Sequence, residues 1–161
     1  MGKEIERRFL VKNDDWRGLG EGVDFQQGFL STVKERVVRV RIAGDKGTLT
    51  IKGISEGLSR LEFEYVIPTE EAKAILDNLC ERPWIEKTRH RIPIGDVVWE
   101  VDEFRGANQG LIMAEVELKD ENQVVALPDW IGREVSTDAR FFNANLVHTP
   151  FSTWGSPDMF D

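Results

Sequence analysis

The sequence has few of the residues that form disulfides, zinc sites or membrane spans. It contains one cysteine and two histidines, which excludes an intramolecular disulfide and a cysteine-rich zinc site. His90 and His148 are isolated, without the spaced partner that a zinc site usually needs. No apolar run reaches the length of a membrane span, and the first residues lack the apolar region of a secretory signal. We therefore expect a cytoplasmic protein without a membrane partner.

The chain also has fewer basic than acidic residues. The chain has 21 Lys and Arg residues against 29 Asp and Glu residues, a formal net charge of −8. Surfaces that bind nucleic acid are normally dominated by a basic patch, so we expect no nucleic-acid partner. A chain of 161 residues with 40% hydrophobic content is long enough for one buried core. No linker or internal repeat divides it, and we predict a single domain over residues 1–161.

Short segments of alternating polar and apolar residues dominate the chain. Turn-rich breaks at 43–47 and 95–96 predict tight hairpins, so neighbouring strands should be antiparallel. Two helices are expected, one capped by Thr69 and one capped by Thr137 or Asp138. These patterns predict a mainly β (α+β) fold, an eight-stranded antiparallel β-barrel with a few covering helices. The candidate strands are 3–11, 24–31, 35–43, 47–53, 59–67, 85–94, 97–104 and 111–119.

Charged residues on these strands are sorted by sign. Residues two apart share one face of a strand. For any single strand, a charged face is most simply the solvated side of a β-sandwich. A solubilising face usually mixes both signs, however, and like charges repel unless a ligand bridges them. The same-sign sets are Glu62 and Glu64, Glu100 and Asp102, Glu115 and Glu117, Arg39 and Arg41, and Lys87, Arg89 and Arg91.

The sorted charges favour an inward-facing charged tunnel that binds a small polyanion. An eight-stranded barrel is just wide enough to hold a small ligand. Carboxylates at positions i and i+2 lie about 6.5 Å apart, so those of adjacent strands can converge on a hard cation such as Mg²⁺ or Mn²⁺. Arginine guanidinium groups match phosphate oxygens with two parallel hydrogen bonds. A polyphosphate with a bound metal fits both halves of the tunnel.

Seven motifs in order resemble those of the CYTH superfamily, the triphosphate tunnel metalloenzymes. They are EIERRFLV, RVR, TIKG, EFE, KTRHR, EVDEFRG and AEVEL, and the resemblance runs from Glu4 to about Leu146. It implies a triphosphate substrate, one or two Mg²⁺ or Mn²⁺ ions, and a chain most similar to the short inorganic tripolyphosphatases. Two positions depart from the pattern: Arg8 replaces the usual lysine of ExExK, and Phe29 stands where many members have tyrosine.

The charged residues receive three expected roles. Lys87 is the candidate catalytic residue, because a lysine crowded by Arg89 and Arg91 should have a depressed pKa and could accept a proton from an attacking water. A phosphate clamp or a structural ion pair is the alternative role for Lys87. The expected substrate-binding residues are Arg8, Arg39, Arg41, Lys52, Arg89 and Arg91. The expected metal ligands, direct or through water, are Glu4, Glu6, Glu62, Glu64, Asp102, Glu115 and Glu117.

The predicted reaction is metal-dependent hydrolysis of a linear triphosphate by in-line attack of an activated water. Inorganic tripolyphosphate, yielding pyrophosphate and phosphate, is the expected substrate, with a nucleoside triphosphate as the other option. Two alternatives remain open: a class IV-type adenylate cyclase that makes cyclic AMP from ATP, and a non-catalytic polyphosphate-binding module. The sequence shows no base-reading motif, which disfavours the cyclase. A homodimer is compatible with these expectations.

Overall fold

A computed structural model describes residues 2–155 of the chain. Its strands form one antiparallel sheet in the order β5-β4-β3-β2-β6-β7-β8-β1-β9, and β1 pairs back to β5. The first eight strands therefore close into a barrel, which confirms the predicted eight-stranded fold. The strands are β1 (Lys3–Val11), β2 (Gly22–Ser31), β3 (Val37–Ala43), β4 (Lys46–Lys52), β5 (Ser59–Ile67), β6 (Ile85–Ile94), β7 (Val97–Phe104), β8 (Ile112–Glu117) and β9 (Ile131–Glu134).

Two tight hairpins set the register of the barrel. Ala43 pairs with Lys46 across the β3–β4 turn, and Ile94 pairs with Val97 across the β6–β7 turn. Each turn starts with a glycine at positive φ, Gly44 and Gly95, both at 62°. Glycine adopts this conformation without the steric penalty that a Cβ atom brings, and two-residue hairpin turns require it. Both predicted hairpins are thus confirmed.

Helix α1 (Thr69–Leu79) covers the outside of β3 and β4. It buries Ala72 and Leu76 against Val40 of β3. The expected cap is wrong in detail. Pro68 occupies the N-cap position without a side-chain hydrogen bond, and the Thr69 hydroxyl donates instead to the Asp45 carbonyl. The hairpin turn thereby holds the start of the helix.

The second expected helix is divided into two short pieces. The carboxylate of Asp138 accepts a hydrogen bond from the Arg140 amide at the start of a 3-10 turn, Ala139–Phe141. Helix α2 (Asn143–His148) follows, and further 3-10 turns lie at Gly106–Asn108 and Phe151–Thr153. No helix within residues 2–155 is long and apolar enough to cross a membrane.

Apolar clusters pack against the barrel wall from outside and fill one end of its interior. The outer cluster includes Phe9, Trp99 and Trp130. The inner cluster contains Leu10 and Ile85, which lie two residues from Arg8 and Lys87 and therefore share their inward face. The barrel interior is thus apolar at one end and charged along the rest. The other inward members of this cluster are Phe29, Val37, Phe104 and Met113, joined by Phe141 and Leu146 from the C-terminal segment.

Candidate active site in the barrel interior

The charged part of the interior encloses a cavity of about 850 Å³. All the predicted site residues except Asp102 line this cavity, so the predicted acidic and basic residues share one cavity surface. The lining also includes Arg60, Phe142 and Asn143, which were not predicted. Arg60 lies two residues from Glu62 on β5, so the same alternation could have revealed it. Its guanidinium donates two hydrogen bonds to the Gly53 carbonyl, at 3.1 and 2.9 Å.

Asp102 lies behind the cavity surface and is fully buried. Its Oδ1 accepts from Arg89 Nε at 2.7 Å, and its Oδ2 accepts from Arg89 Nη2 at 2.8 Å. Lys87 Nζ lies 2.8 Å from the same Oδ2. Burial alone would raise the pKa of Asp102, but Arg89 and Lys87 hold it below its usual value. Both carboxylate oxygens are therefore engaged by cations, which favours a counter-ion role over the predicted metal-ligand role.

Lys87 is a buried amine with a depressed pKa. Burial, with help from Arg89 and Arg41, lowers the pKa of Lys87 to about 7, although Asp102 opposes the shift. The predicted direction is confirmed, but its expected cause is only partly right. Arg91 is not among the main causes of this shift, and its side chain is 65% exposed and pairs with Glu100 at 3.4 Å.

Two neutral amides complete the surroundings of Lys87. Asn143 Oδ1 accepts from Lys87 Nζ at 2.9 Å and from Gln27 Nε2 at 2.8 Å. Gln27 Oε1 in turn accepts from Arg41 Nε at 2.8 Å. Neither amide was predicted. The alternation of β2 places Gln27 on one face with Phe25 and Phe29, whereas no local sequence signal identifies Asn143.

The basic wall of the cavity, which includes Arg39 and Arg41, has few anionic partners. Arg39 Nη2 donates to Thr50 Oγ1 at 3.1 Å and lies 3.7 Å from Glu64 Oε2, but its buried Nε has no hydrogen-bond partner in the described structure. Arg41 donates to Gln27 and has no carboxylate within ion-pair distance among residues 2–155. Burial, followed by repulsion from Arg39 and Arg89, lowers the pKa of Arg41 well below its usual value. An anion in the cavity would relieve this repulsion.

The acidic wall contains two pairs of neighbouring carboxylates. Burial, followed by the charge of Glu115, raises the pKa of Glu6 well above its usual value. Burial also raises the pKa of Glu4, and a hydrogen bond with Glu62 adds to the shift. The pKa of Glu62 is lowered despite its burial, because Glu62 hydrogen-bonds with Glu4 and lies beside the charge of Lys52. The pKa of Glu115 is lowered despite its burial by the charge of Arg8. Such divided values are typical of carboxylates that share a proton or a cation.

Basic side chains bridge these carboxylates. Lys52 Nζ lies 3.3 Å from Glu4 Oε1 and 3.4 Å from Glu62 Oε2. Arg8 Nη2 donates to Glu6 Oε1 at 2.8 Å, and Arg8 Nε donates to Glu115 Oε1 at 3.3 Å. Lys52 and Arg8 therefore each pair with two carboxylates of the acidic wall.

The donor set of the acidic wall suits a hard divalent cation. No three Asp, Glu, His or Cys side chains within residues 2–155 are already placed to hold a metal ion. Mg²⁺ requires fewer, because it usually keeps several waters and takes one or two carboxylates together with substrate phosphates. The buried Glu62 Oε2 has no hydrogen-bond partner in the described structure and only the Lys52 ammonium nearby, at 3.4 Å, so it can serve as an oxygen ligand. Glu64 and Glu117 also line the cavity but are exposed.

A closed antiparallel barrel, with buried arginines facing paired carboxylates across a shared cavity, defines the class of charged-tunnel β-barrel proteins. A comparison with known protein families identifies which family of this class the chain belongs to. The chain belongs to the CYTH family, whose domain model matches residues 2–148. The resemblance found in the sequence motifs is thereby confirmed.

Relatives and solved structures agree with this assignment. The chain is 53% identical over 154 residues to an inorganic triphosphatase of Acetivibrio thermocellus, covering 96% of this chain and 99% of that protein. It is 35% identical to an inorganic triphosphatase of Nitrosomonas europaea, covering 89% and 96%. A solved inorganic triphosphatase superposes with a TM-score of 0.65 at 30% identity, covering 89% of this chain and 97% of that one. A putative adenylate cyclase of Bacillus halodurans, with a TM-score of 0.59 at 19% identity, shares the fold.

Proposed function

We propose that this protein is an inorganic triphosphatase that hydrolyses tripolyphosphate to pyrophosphate and phosphate with Mg²⁺ or Mn²⁺ in the cytoplasm. The observation that carries the proposal is a pair of arginines on β3, the buried Arg39 and the half-buried Arg41, which lack full anionic compensation and face the carboxylate pairs across the cavity. A compact, highly charged anion fits between these walls. Two relatives of nearly the same length carry the name inorganic triphosphatase.

The basic side chains hold the substrate and neutralise the charge that develops on it. Phosphoryl transfer depends mainly on positioning and on electrostatic stabilisation of the transferred and leaving groups. The buried Arg39 and Arg89 and the half-buried Arg41 form the inner part of this anion site. Arg8 and Lys52 extend it to the acidic wall, and Arg91 extends it toward solvent.

The carboxylates of Glu4, Glu6, Glu62 and Glu115 would hold the metal, with Glu64 and Glu117 acting through water. When bound, the cation neutralises phosphate charge and makes hydroxide available near neutral pH. Asp102 has a different role in this proposal. It holds Lys87 and Arg89 in place from behind the cavity surface, because both of its oxygens are engaged by these two cations.

Lys87 acts as the proton acceptor. A neutral amine carries two hydrogens and one lone pair. Lys87 has two acceptors for its hydrogens, Asp102 Oδ2 at 2.8 Å and Asn143 Oδ1 at 2.9 Å, so its lone pair remains available. The proton of the attacking water moves to Nζ as the oxygen bonds to the terminal phosphorus. The bond from that phosphorus to the bridging oxygen breaks, and pyrophosphate leaves.

The decisive test is product analysis with tripolyphosphate, ATP and thiamine triphosphate offered in parallel with Mg²⁺ or Mn²⁺. We expect phosphate and pyrophosphate to form fastest from tripolyphosphate, and we expect EDTA or Lys87→Ala to abolish the reaction. Cyclic AMP and pyrophosphate from ATP would instead identify a cyclase. Metal-independent binding of tripolyphosphate without turnover would identify a binding module.

A further inference from the structure

Two amide side chains connect the proposed proton acceptor to the anion-binding wall. Gln27 is fully buried beside the charged part of the barrel interior. It accepts from Arg41 and donates to Asn143, and Asn143 also accepts from Lys87. A chain of three hydrogen bonds therefore runs from Arg41 to Lys87. Burying an amide is costly unless it is hydrogen-bonded, and both polar atoms of the buried Gln27 have a partner, so this arrangement is a specific one.

The partners of these amides determine their orientation. Arg41 can only donate, so the Gln27 oxygen faces Arg41 and the Gln27 nitrogen faces Asn143. The atom of Asn143 that receives this nitrogen must be its oxygen. That same oxygen lies 2.9 Å from Lys87 Nζ. Gln27 thus keeps Asn143 oriented as a hydrogen-bond acceptor toward Lys87.

We propose that Gln27 and Asn143 are positioning residues for hydrolysis: Asn143 directs the Lys87 amine toward the attacking water, and Gln27 holds Asn143 and Arg41 in register. The inference rests on the proposed function, because it assigns Lys87 the role of proton acceptor. Asn143 reaches this place on α2, which starts at that residue, while Gln27 belongs to β2. The C-terminal segment thereby contributes to a site that is otherwise built from strands.

The two residues predict different kinetic effects. Asn143→Leu keeps the approximate side-chain volume but removes the acceptor, so Lys87 Nζ is free to move. We expect kcat to fall about a hundredfold, the usual cost of a misplacement near 1 Å, with KM changed less than threefold. Gln27→Leu loosens Arg41 directly, so we expect its KM to rise about tenfold, more than its kcat falls.

A conservative variant distinguishes positioning from packing. Asn143 donates no hydrogen bond through its amide nitrogen within residues 2–155, so Asn143→Asp keeps the oxygen that both donors use. We expect Asn143→Asp to regain most of the kcat lost in Asn143→Leu. Its KM should rise, because the added carboxylate repels the substrate. The kcat values are compared on the plateau of each variant's pH profile, so that a change in Lys87 protonation does not enter.

Asn145→Ala is the matched control. Asn145 lies on the same helix, and its side chain donates to the Ala139 carbonyl at 2.7 Å, so this variant weakens the segment without touching Lys87. The experiment measures tripolyphosphate hydrolysis by all four variants with Mg²⁺, together with their thermal unfolding.

The proposal stands if Asn143→Leu lowers kcat, Asn143→Asp regains it, and Asn145→Ala does neither. It is overturned if Asn143→Leu keeps its kcat, or if Asn145→Ala loses as much. Should Asn143→Leu fail to fold, an unchanged KM in Gln27→Leu overturns the proposal, and a raised KM supports it. Wild-type protein that does not hydrolyse tripolyphosphate would refute the proposed function itself, and the inference with it.

Discussion

Removing the charge of Asp102 should destabilise the protein far more than removing that of an exposed carboxylate. Asp102 is 0% exposed and is the buried counter-ion of Lys87 and Arg89. Asp102→Asn preserves the shape of the side chain while deleting its charge. It leaves the buried side chains of Lys87 and Arg89 without their main anionic partner. Glu134→Gln is the matched control, because Glu134 forms a two-bond pair with Arg7 in which the side chains are 38% and 23% exposed.

The expected magnitudes follow from burial. Breaking one partner of a buried ion pair costs about 3–5 kcal/mol. An exposed pair contributes at most about 1 kcal/mol. For a chain of this size, each kcal/mol shifts Tm by roughly 2–4 °C. We therefore expect Asp102→Asn to lower Tm by about 6–20 °C and Glu134→Gln by no more than about 4 °C.

The pH dependence of this loss is a second signature. Asp102 holds up the pKa of Lys87, so in Asp102→Asn that pKa falls further below 7. The folded variant therefore loses the Lys87 proton at a lower pH than the folded wild type, while the unfolded chains are alike. The variant binds fewer protons when folded, so its stability rises more steeply with pH in this window. The destabilisation should be larger at pH 6 than at pH 8.

Thermal unfolding followed by circular dichroism, with EDTA present, measures both effects. Equal shifts of Tm for Asp102→Asn and Glu134→Gln would refute the assignment of Asp102 as a buried counter-ion. A loss that grows between pH 6 and pH 8 would refute the assignment of Lys87 as the group that responds to it.

Three further predictions concern activity. Because the pKa of Lys87 is about 7 and its neutral form accepts the proton, kcat for tripolyphosphate should rise as pH increases through about 7. Arg41→Gln removes a cation that lowers this pKa, so at saturating substrate the rise in kcat should move to higher pH. A pH profile that does not move would exclude Lys87 as the titrating group. Burial and Glu115 disfavour the charged form of Glu6, so Glu6→Gln should change the free energy of unfolding, measured in urea without metal, by less than about 1 kcal/mol. The same variant should lose Mg²⁺-dependent turnover. Retained turnover would show that Glu6 is not a metal ligand. Arg39→Gln should raise KM roughly tenfold or more through loss of a charged hydrogen bond worth about 1.5–3 kcal/mol, and a change in kcat alone would argue against a binding role.

The strands were predictable because alternation is a local property of the backbone. Successive side chains of a strand point to opposite faces whatever their neighbours are. The charged alternation therefore located β3, β5, β6, β7 and β8 within about two residues of their observed ends. β9 was missed, because four residues are too few for alternation to stand out and its place beside β1 depends on a long-range pairing.

Helix ends were less predictable. Thr69 resembles an N-cap in sequence, but the β3–β4 turn offers its hydroxyl a carbonyl partner and Pro68 takes the cap position. Leu79 continues the apolar spacing of Ala72, Ile75 and Leu76 along α1, yet it is 62% exposed. Both outcomes depend on which surface the helix meets, and its sequence does not contain that information.

By itself the sequence determined the strand pattern, the inward set of charges, their separation by sign and the resemblance to a family. These features depend on spacing along the chain, which fixes the face of each side chain. Only the tertiary structure decided which charges are compensated. Asp102 became a counter-ion because Lys87 and Arg89 of the adjacent strand reach both of its oxygens. Asn143 joined the site through a partner 116 residues away, Gln27. Desolvation and cross-strand distance set these roles, and both arise only when the barrel closes.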